Sequence, residues 1–101
     1  MAKVLISTIA QQDIDAILKY YREINLEYVG LKLLREIGKK FSLLSQYPEI
    51  GRERNELLLG LRSFAVKDYL IFYLLITDGI EIMRVVKASR NISKLFEDMI
   101  P

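Results

Sequence analysis

The chain of 101 residues has no cysteine, no histidine and no tryptophan, and two prolines. Without cysteine there is no disulfide scaffold, no Cys-ligated zinc site and no iron–sulfur cluster. Without histidine there is no Ser-His-Asp triad and no Cys-His pair. Any proton transfer has to come from Asp, Glu, Tyr or Lys, a short list for chemistry near neutral pH. A carboxylate-only magnesium or calcium site would need a loop with its own ligand spacing, and none is found. Neither a metal nor a cofactor is therefore expected. Long apolar runs are missing as well. The longest, Tyr69 to Ile76, falls well short of the roughly 20 residues that cross a bilayer. The apolar start, Met1 to Ile6, gives way to Ser7 and Thr8, too soon for a secretory signal with its apolar stretch of about 7–15 residues. The expected location is the cytoplasm, with no membrane partner. A dominant charge sign is also lacking. A net charge of +2, from 15 Lys+Arg against 13 Asp+Glu, gives no general attraction to nucleic acid.

What is present is the composition of a packed protein. Hydrophobic residues make up 51% and charged residues 28%, which argues against a disordered chain. The length suits one domain over residues 1–101. Lys3 to Ile6 reads as a short strand. Thr8 and Gln11 have the spacing of a capping box, with Thr8 as N-cap and Gln11 reaching back. Ala10, Ile14, Ile17, Leu18, Tyr21 and Ile24 then recur at helical spacing, which predicts a helix over 9–24. Asn25 is the expected break and the N-cap of a second helix over 26–46. One face of that helix carries Leu26, Gly30, Leu33, Leu34, Ile37, Phe41 and Leu44. The short connection makes the pair an antiparallel hairpin, with Gly30 allowing close approach.

Tyr47-Pro48-Glu49-Ile50-Gly51 ends the second helix with turn chemistry. An irregular loop is expected up to Gly60. Three strand-like runs follow: 61–66, 69–77 and 80–87. The first two are separated by a Lys67-Asp68 turn, the last two by an Asp78-Gly79 pair that suggests a type I′ hairpin. The middle run is apolar on both alternating faces, as in a central strand buried on both sides. Residues 91–99 form a short helix or tail docked by Ile92, Leu95 and Phe96. The expected fold is α+β with two layers: an N-terminal strand at a sheet edge, a helical hairpin on a small antiparallel sheet, and the tail.

Several of these segments, in this order, resemble the RelE/ParE toxin superfamily, in its ParE-like branch. They are Tyr47 to Arg54, Gly60-Leu61-Arg62-Ser63-Phe64, Tyr69-Leu70-Ile71-Phe72-Tyr73 and Asp78-Gly79-Ile80-Glu81-Ile82. Arg84-Val85-Val86, Ser89-Arg90-Asn91, Leu95-Phe96 and the Ala-x-x-Asp-Ile segment from Ala10 to Ile14 complete the set. The resemblance implies the toxin of a type II toxin–antitoxin pair, of the plasmid-stabilisation kind. Its partner would be a small cognate antitoxin encoded beside it. ParE-like members poison DNA gyrase, whereas RelE-like members cut messenger RNA in the ribosome.

Residues choose between these two outcomes. RNA cleavage needs a base for the 2′-hydroxyl, cations for the crowded phosphorane and an acid for the leaving oxygen. The nucleases of the superfamily commonly carry Arg after the Tyr that opens the central strand; here Tyr69 is followed by Leu70. They also tend to end with a Tyr or His; here the matching position is Phe96. Gyrase inhibition by binding is therefore the favoured reading, with no catalytic residue assigned. The alternatives are a RelE-type ribonuclease with a rearranged site (Lys67, Arg84 and Glu81 remain available), and a degenerate toxin that only binds its antitoxin. Direct nucleic-acid binding is not expected outside a gyrase–DNA or ribosome complex.

Three groups of residues are candidates for contact. Arg84, Lys87, Arg90 and Lys94 form a run of cations with no acid among them, and are assigned to the target. Tyr20 on the first helix, and Tyr28, Leu31 and Leu43 on the second, fall off the apolar stripes and are assigned to the antitoxin. Arg52, Arg54 and Arg62 flank the glycine-bounded loop. They either hold it to the sheet or reach the target. Tyr69 and Tyr73 are read as core or rim residues rather than catalytic ones.

Overall fold

The computed structural model describes residues 2–97. Strand β1 (Lys3–Ile6) leads into helix α1 (Thr8–Glu23), and α2 (Glu27–Gln46) returns antiparallel beside it. Strands β2 (Arg52–Glu53), β3 (Arg62–Val66), β4 (Tyr69–Ile76) and β5 (Gly79–Lys87) follow, and the short helix α3 (Ile92–Glu97) closes the described chain. Met99, at the end of the expected tail, lies outside the described residues.

The five strands form one sheet in the order β1-β5-β4-β3-β2. The β2 to β5 part is antiparallel, as expected. The whole sheet is mixed, because β1 joins its edge parallel to β5, with Lys3 opposite Gly79 and Ile6 opposite Ile82. Glycine is required at position 79 by that pairing, since a Cβ there would overlap the Lys3 backbone. This alters the reading of the turn. Asp78 takes the left-handed conformation (φ 66), and Gly79 is already the first residue of β5, paired with Ile76. The two-residue connection is therefore Thr77-Asp78, not a type I′ turn centred on Asp78-Gly79. At the other hairpin, Lys67 has φ 54 between Val66 and Tyr69, as a two-residue loop demands.

Apolar alternation in β4 sorts its side chains into two cores. Tyr69, Ile71 and Tyr73 face the helical hairpin and pack with Ile17, Ile37 and Leu44. Phe72 faces away, into a smaller cluster with Leu57, Leu61, Val86 and Phe96. Here α3 docks by Phe96, whose ring meets Phe72 edge-on at 4.9 Å. Gly30 sits where α2 crosses Tyr21 of α1; a Cβ there would come within 2.7 Å of the Tyr21 Cβ.

The helix boundaries differ from the expected ones at the caps. Ser7, not Thr8, is the N-cap of α1, and its hydroxyl accepts from the Ala10 N–H at 3.0 Å. The same hydroxyl donates to the Met83 carbonyl of β5 at 3.1 Å, so the tertiary contact selects the cap residue. Gln11 reaches Asp15 instead. Asn25 does break the hairpin, in the left-handed region (φ 59) that asparagine tolerates. It is not the cap of α2. Leu26 holds that place without a side-chain hydrogen bond, and an Arg22–Glu27 ion pair at 3.0 Å spans the break. The loop to Gly60 is partly ordered as β2, paired with Ser63 and Arg62.

Candidate functional site

The four cations of the run from Arg84 to Lys94 have different fates. Arg84 is turned to α1, where its guanidinium grips Asp13 through two bonds of 2.8 and 3.0 Å. Asp13 also accepts from the Val85 N–H at 3.0 Å. It thereby satisfies the edge of β5 beyond the point where β1 ends. Both side chains are largely buried, and the pair straps α1 to the sheet. Arg84, assigned from the sequence to the target, thus has its charge paired inside the fold. Lys87 is more open and lies 3.8 Å from Asp68. Arg90 and Lys94 are exposed. Asn91 caps α3 by accepting from the Lys94 N–H, which fixes the helix that carries Lys94.

Between α1 and the end of β5 is a pocket of about 270 Å³. Ile17 and Val85 line it with apolar surface, Tyr20 and Tyr69 with phenols, and Lys87 and Arg90 with cations. Burial pushes the Tyr69 phenol above its ordinary value, and Tyr21, Asp68 and Tyr20 add to the effect. It remains a neutral O–H donor across the physiological range.

The loop arginines act mainly within the protein. Arg62 donates to the carbonyls of Glu49 and Gly51 at 2.9 and 2.8 Å and lies 3.4 Å from Glu53. Arg54 pairs with Glu56, reaches the buried Ser63 hydroxyl at 3.3 Å and stacks over Phe72. Its hydrogen bond holds the exposed Glu56 carboxyl below the usual range. Arg52 is exposed. Tyr73 completes the anchoring from below. Its hydroxyl accepts from the Gly51 N–H at 2.9 Å and donates to the Pro48 carbonyl at 2.8 Å. Desolvation pushes its phenol up, against the smaller effects of Gly51 and Arg62.

On the helical hairpin, Tyr28 is 76% exposed, and Tyr20 and Leu31 are also exposed; Leu43 is half-buried. Neighbouring Ile24, Leu26 and Val29 are exposed as well, although Ile24 and Leu26 fall on the expected apolar stripes. Sequence reasoning missed Asp13 as the partner of Arg84. The signal was available: Asp13 falls three residues after Ala10 and four before Ile17, on the stripe that turns inward. A carboxylate there needs a cation. Among the described residues no group of three or more Asp or Glu is placed to hold a metal, and no helix is long and apolar enough to cross a membrane.

Comparison with known proteins agrees with this architecture. The family model described as "ParE toxin of type II toxin-antitoxin system, parDE" matches residues 4–92. Toxin ParE3 of Caulobacter vibrioides is 30% identical over 93 residues, covering 92% of this chain and 93% of that protein. A structure titled "Chromosomal ParDE TA system from P. aeruginosa" superposes with a TM-score of 0.73, over 86% of this chain and 96% of the other. At 21% identity, that last likeness bears on the fold alone. The chain belongs to the ParE toxin family of type II toxin–antitoxin systems, and its partner is an antitoxin.

Proposed function

We propose that this toxin arrests DNA replication by binding DNA gyrase, with no hydrolysis of RNA. The observation that carries the reading is the use made of the positions a nuclease would need. Phe96 is packed edge-on against Phe72, and Leu70 lies against the same apolar cluster. Neither offers a titratable group. The Tyr73 hydroxyl is occupied by two backbone groups, and the Tyr69 phenol is held protonated. The titratable groups that a nuclease of this superfamily carries at these two positions are thus lacking. Lys87, Arg90 and Lys94 remain as an outward-facing surface suited to an anionic target such as the gyrase–DNA complex. The name Toxin ParE3 on a relative at 30% identity fits the same assignment. The antitoxin would neutralise the toxin through Tyr20, Tyr28, Leu31 and Leu43.

Pulse labelling after brief induction of the toxin alone tests the target. Thymidine incorporation is expected to stop first while amino-acid incorporation continues. Translation stopping first would overturn the gyrase reading and direct attention to a rearranged nuclease site. Arg90→Ala combined with Lys94→Ala should reduce toxicity in the same assay without unfolding the chain.

A further inference from the structure

Tyr69 presents an unusual combination. Its side chain is among the core residues, at 5% exposure, and its burial leaves a neutral phenol. Yet its hydroxyl has no hydrogen-bond partner among the described residues. It is not sealed either, because no unpartnered side-chain oxygen there is fully buried. Tyr69 lines the pocket between α1 and the end of β5. A donor that is not committed within the fold is free to give its hydrogen bond to an acceptor on a ligand.

The surroundings specify that acceptor. Lys87 and Arg90 line the pocket beside Tyr69. Two acids face them. Asp13 is held by Arg84 and the Val85 N–H, and Asp68 is exposed and 3.8 Å from Lys87. Arg84, Lys87 and Arg90 against Asp13 and Asp68 leave one positive charge in excess. An anion is therefore favoured. The floor of Ile17 and Val85 adds a second requirement. A nucleic-acid phosphate would use the cations but not the apolar floor, whereas an acidic residue on a protein segment with an apolar neighbour uses both. Tyr20, which lines the pocket, also belongs to the exposed apolar surface of the helices, so one partner segment can cover both.

We propose that this pocket receives a carboxylate side chain of the antitoxin, hydrogen-bonded by Tyr69 and paired with Lys87 and Arg90, next to an apolar residue lying on Ile17 and Val85. The proposal deepens the reading of Lys87 and Arg90 as target contacts and rests on it for its consequence: antitoxin and target compete for the same cations. Neutralisation then follows from occupancy, without any change of fold.

The complex with the antitoxin encoded beside the toxin is the material for the test. Tyr69→Phe removes only the hydroxyl, and Arg90→Gln removes one charge from an exposed position. Each should weaken the complex by about 10-fold or more in calorimetry, the scale of a lost hydrogen bond to a charged group. Arg90→Gln should also flatten the dependence of affinity on salt. Thermal melts of the variants show whether either loss reflects unfolding. With 3-phenylpropionate as a probe, amide signals at Val85 and Lys87 should shift on titration, and 3-phenylpropan-1-ol should leave them in place. Unchanged antitoxin affinity in both folded variants would overturn the proposal, as would the absence of any complex with the unaltered toxin. Loss of duplex DNA binding in Tyr69→Phe, with antitoxin binding intact, would make the pocket a phosphate site instead. None of these readouts involves gyrase, so this proposal and the gyrase reading can fail separately.

Discussion

Tyr73 decides how the arginine-bearing loop meets the sheet. Its hydroxyl joins the Gly51 N–H and the Pro48 carbonyl, while Arg62 holds the Glu49 and Gly51 carbonyls from the other side. Gly51 has to be glycine, because a Cβ would overlap the Tyr73 hydroxyl. Tyr73→Phe leaves these buried backbone groups without a partner and should cost about 1–3 kcal/mol in denaturant unfolding. The titration of the same residue gives a second expectation. Burial raises the folded-state value of Tyr73, and of Tyr69, above the ordinary 10.0. Below pH 10 both states hold the proton and the contribution is complete. Above it the unfolded chain ionises first, so it binds fewer protons than the folded chain. Stability should therefore fall as pH rises past about 10, and a melting series should show a shallower fall in Tyr73→Phe.

At the scale of elements, the link between α1 and β5 is the main determinant of the fold's edge. Strand β1 pairs with only the first part of β5. Beyond Ile82 the edge is completed by the Ser7 hydroxyl at Met83 and the Asp13 carboxylate at Val85. Asp13→Asn keeps the shape but leaves Arg84 without its counter-charge in a largely buried position. Losing one partner of a buried pair costs roughly 3–5 kcal/mol, and the residual solvent contact places this site near the lower value. A drop in melting temperature of about 10 °C or more is expected for a domain of this size. This link also marks where the sequence stopped being legible. Period and turn residues located both long helices and the three main strands, because those features depend on nearby residues. The cap at Ser7, the parallel addition of β1 and the removal of Arg84 from the surface depend on groups far apart in the sequence, 76 positions for Ser7–Met83 and 71 for Asp13–Arg84. Local spacing shows that Asp13 turns inward and needs a cation, but not that Arg84 supplies it. The run of four cations consequently read as one patch, although only part of it faces outward.

The whole molecule then offers two surfaces of different chemistry. The helical hairpin exposes tyrosine and aliphatic side chains, including Tyr28 and Leu31, while the end of β5 and α3 present Lys87, Arg90 and Lys94. A partner held mainly by the first surface gains from apolar burial and is little affected by salt. A partner held by the second loses affinity as salt rises. The antitoxin is expected to use the first surface and to reach the second through Tyr20, whereas the target uses the second alone. Leu31→Asp separates the two cases. The residue is 43% exposed, so the change should move stability by about 0.5 kcal/mol or less. A carboxylate forced into an apolar contact should weaken antitoxin binding by about 30-fold or more, the scale of a central interface residue. Toxicity of the free protein should be unaltered if the target is held by the second surface alone. Calorimetry showing wild-type affinity in Leu31→Asp would exclude the helical surface. Loss of toxicity in a folded Leu31→Asp variant would show that target and antitoxin share that surface too, and the division of labour between the two faces would have to be abandoned.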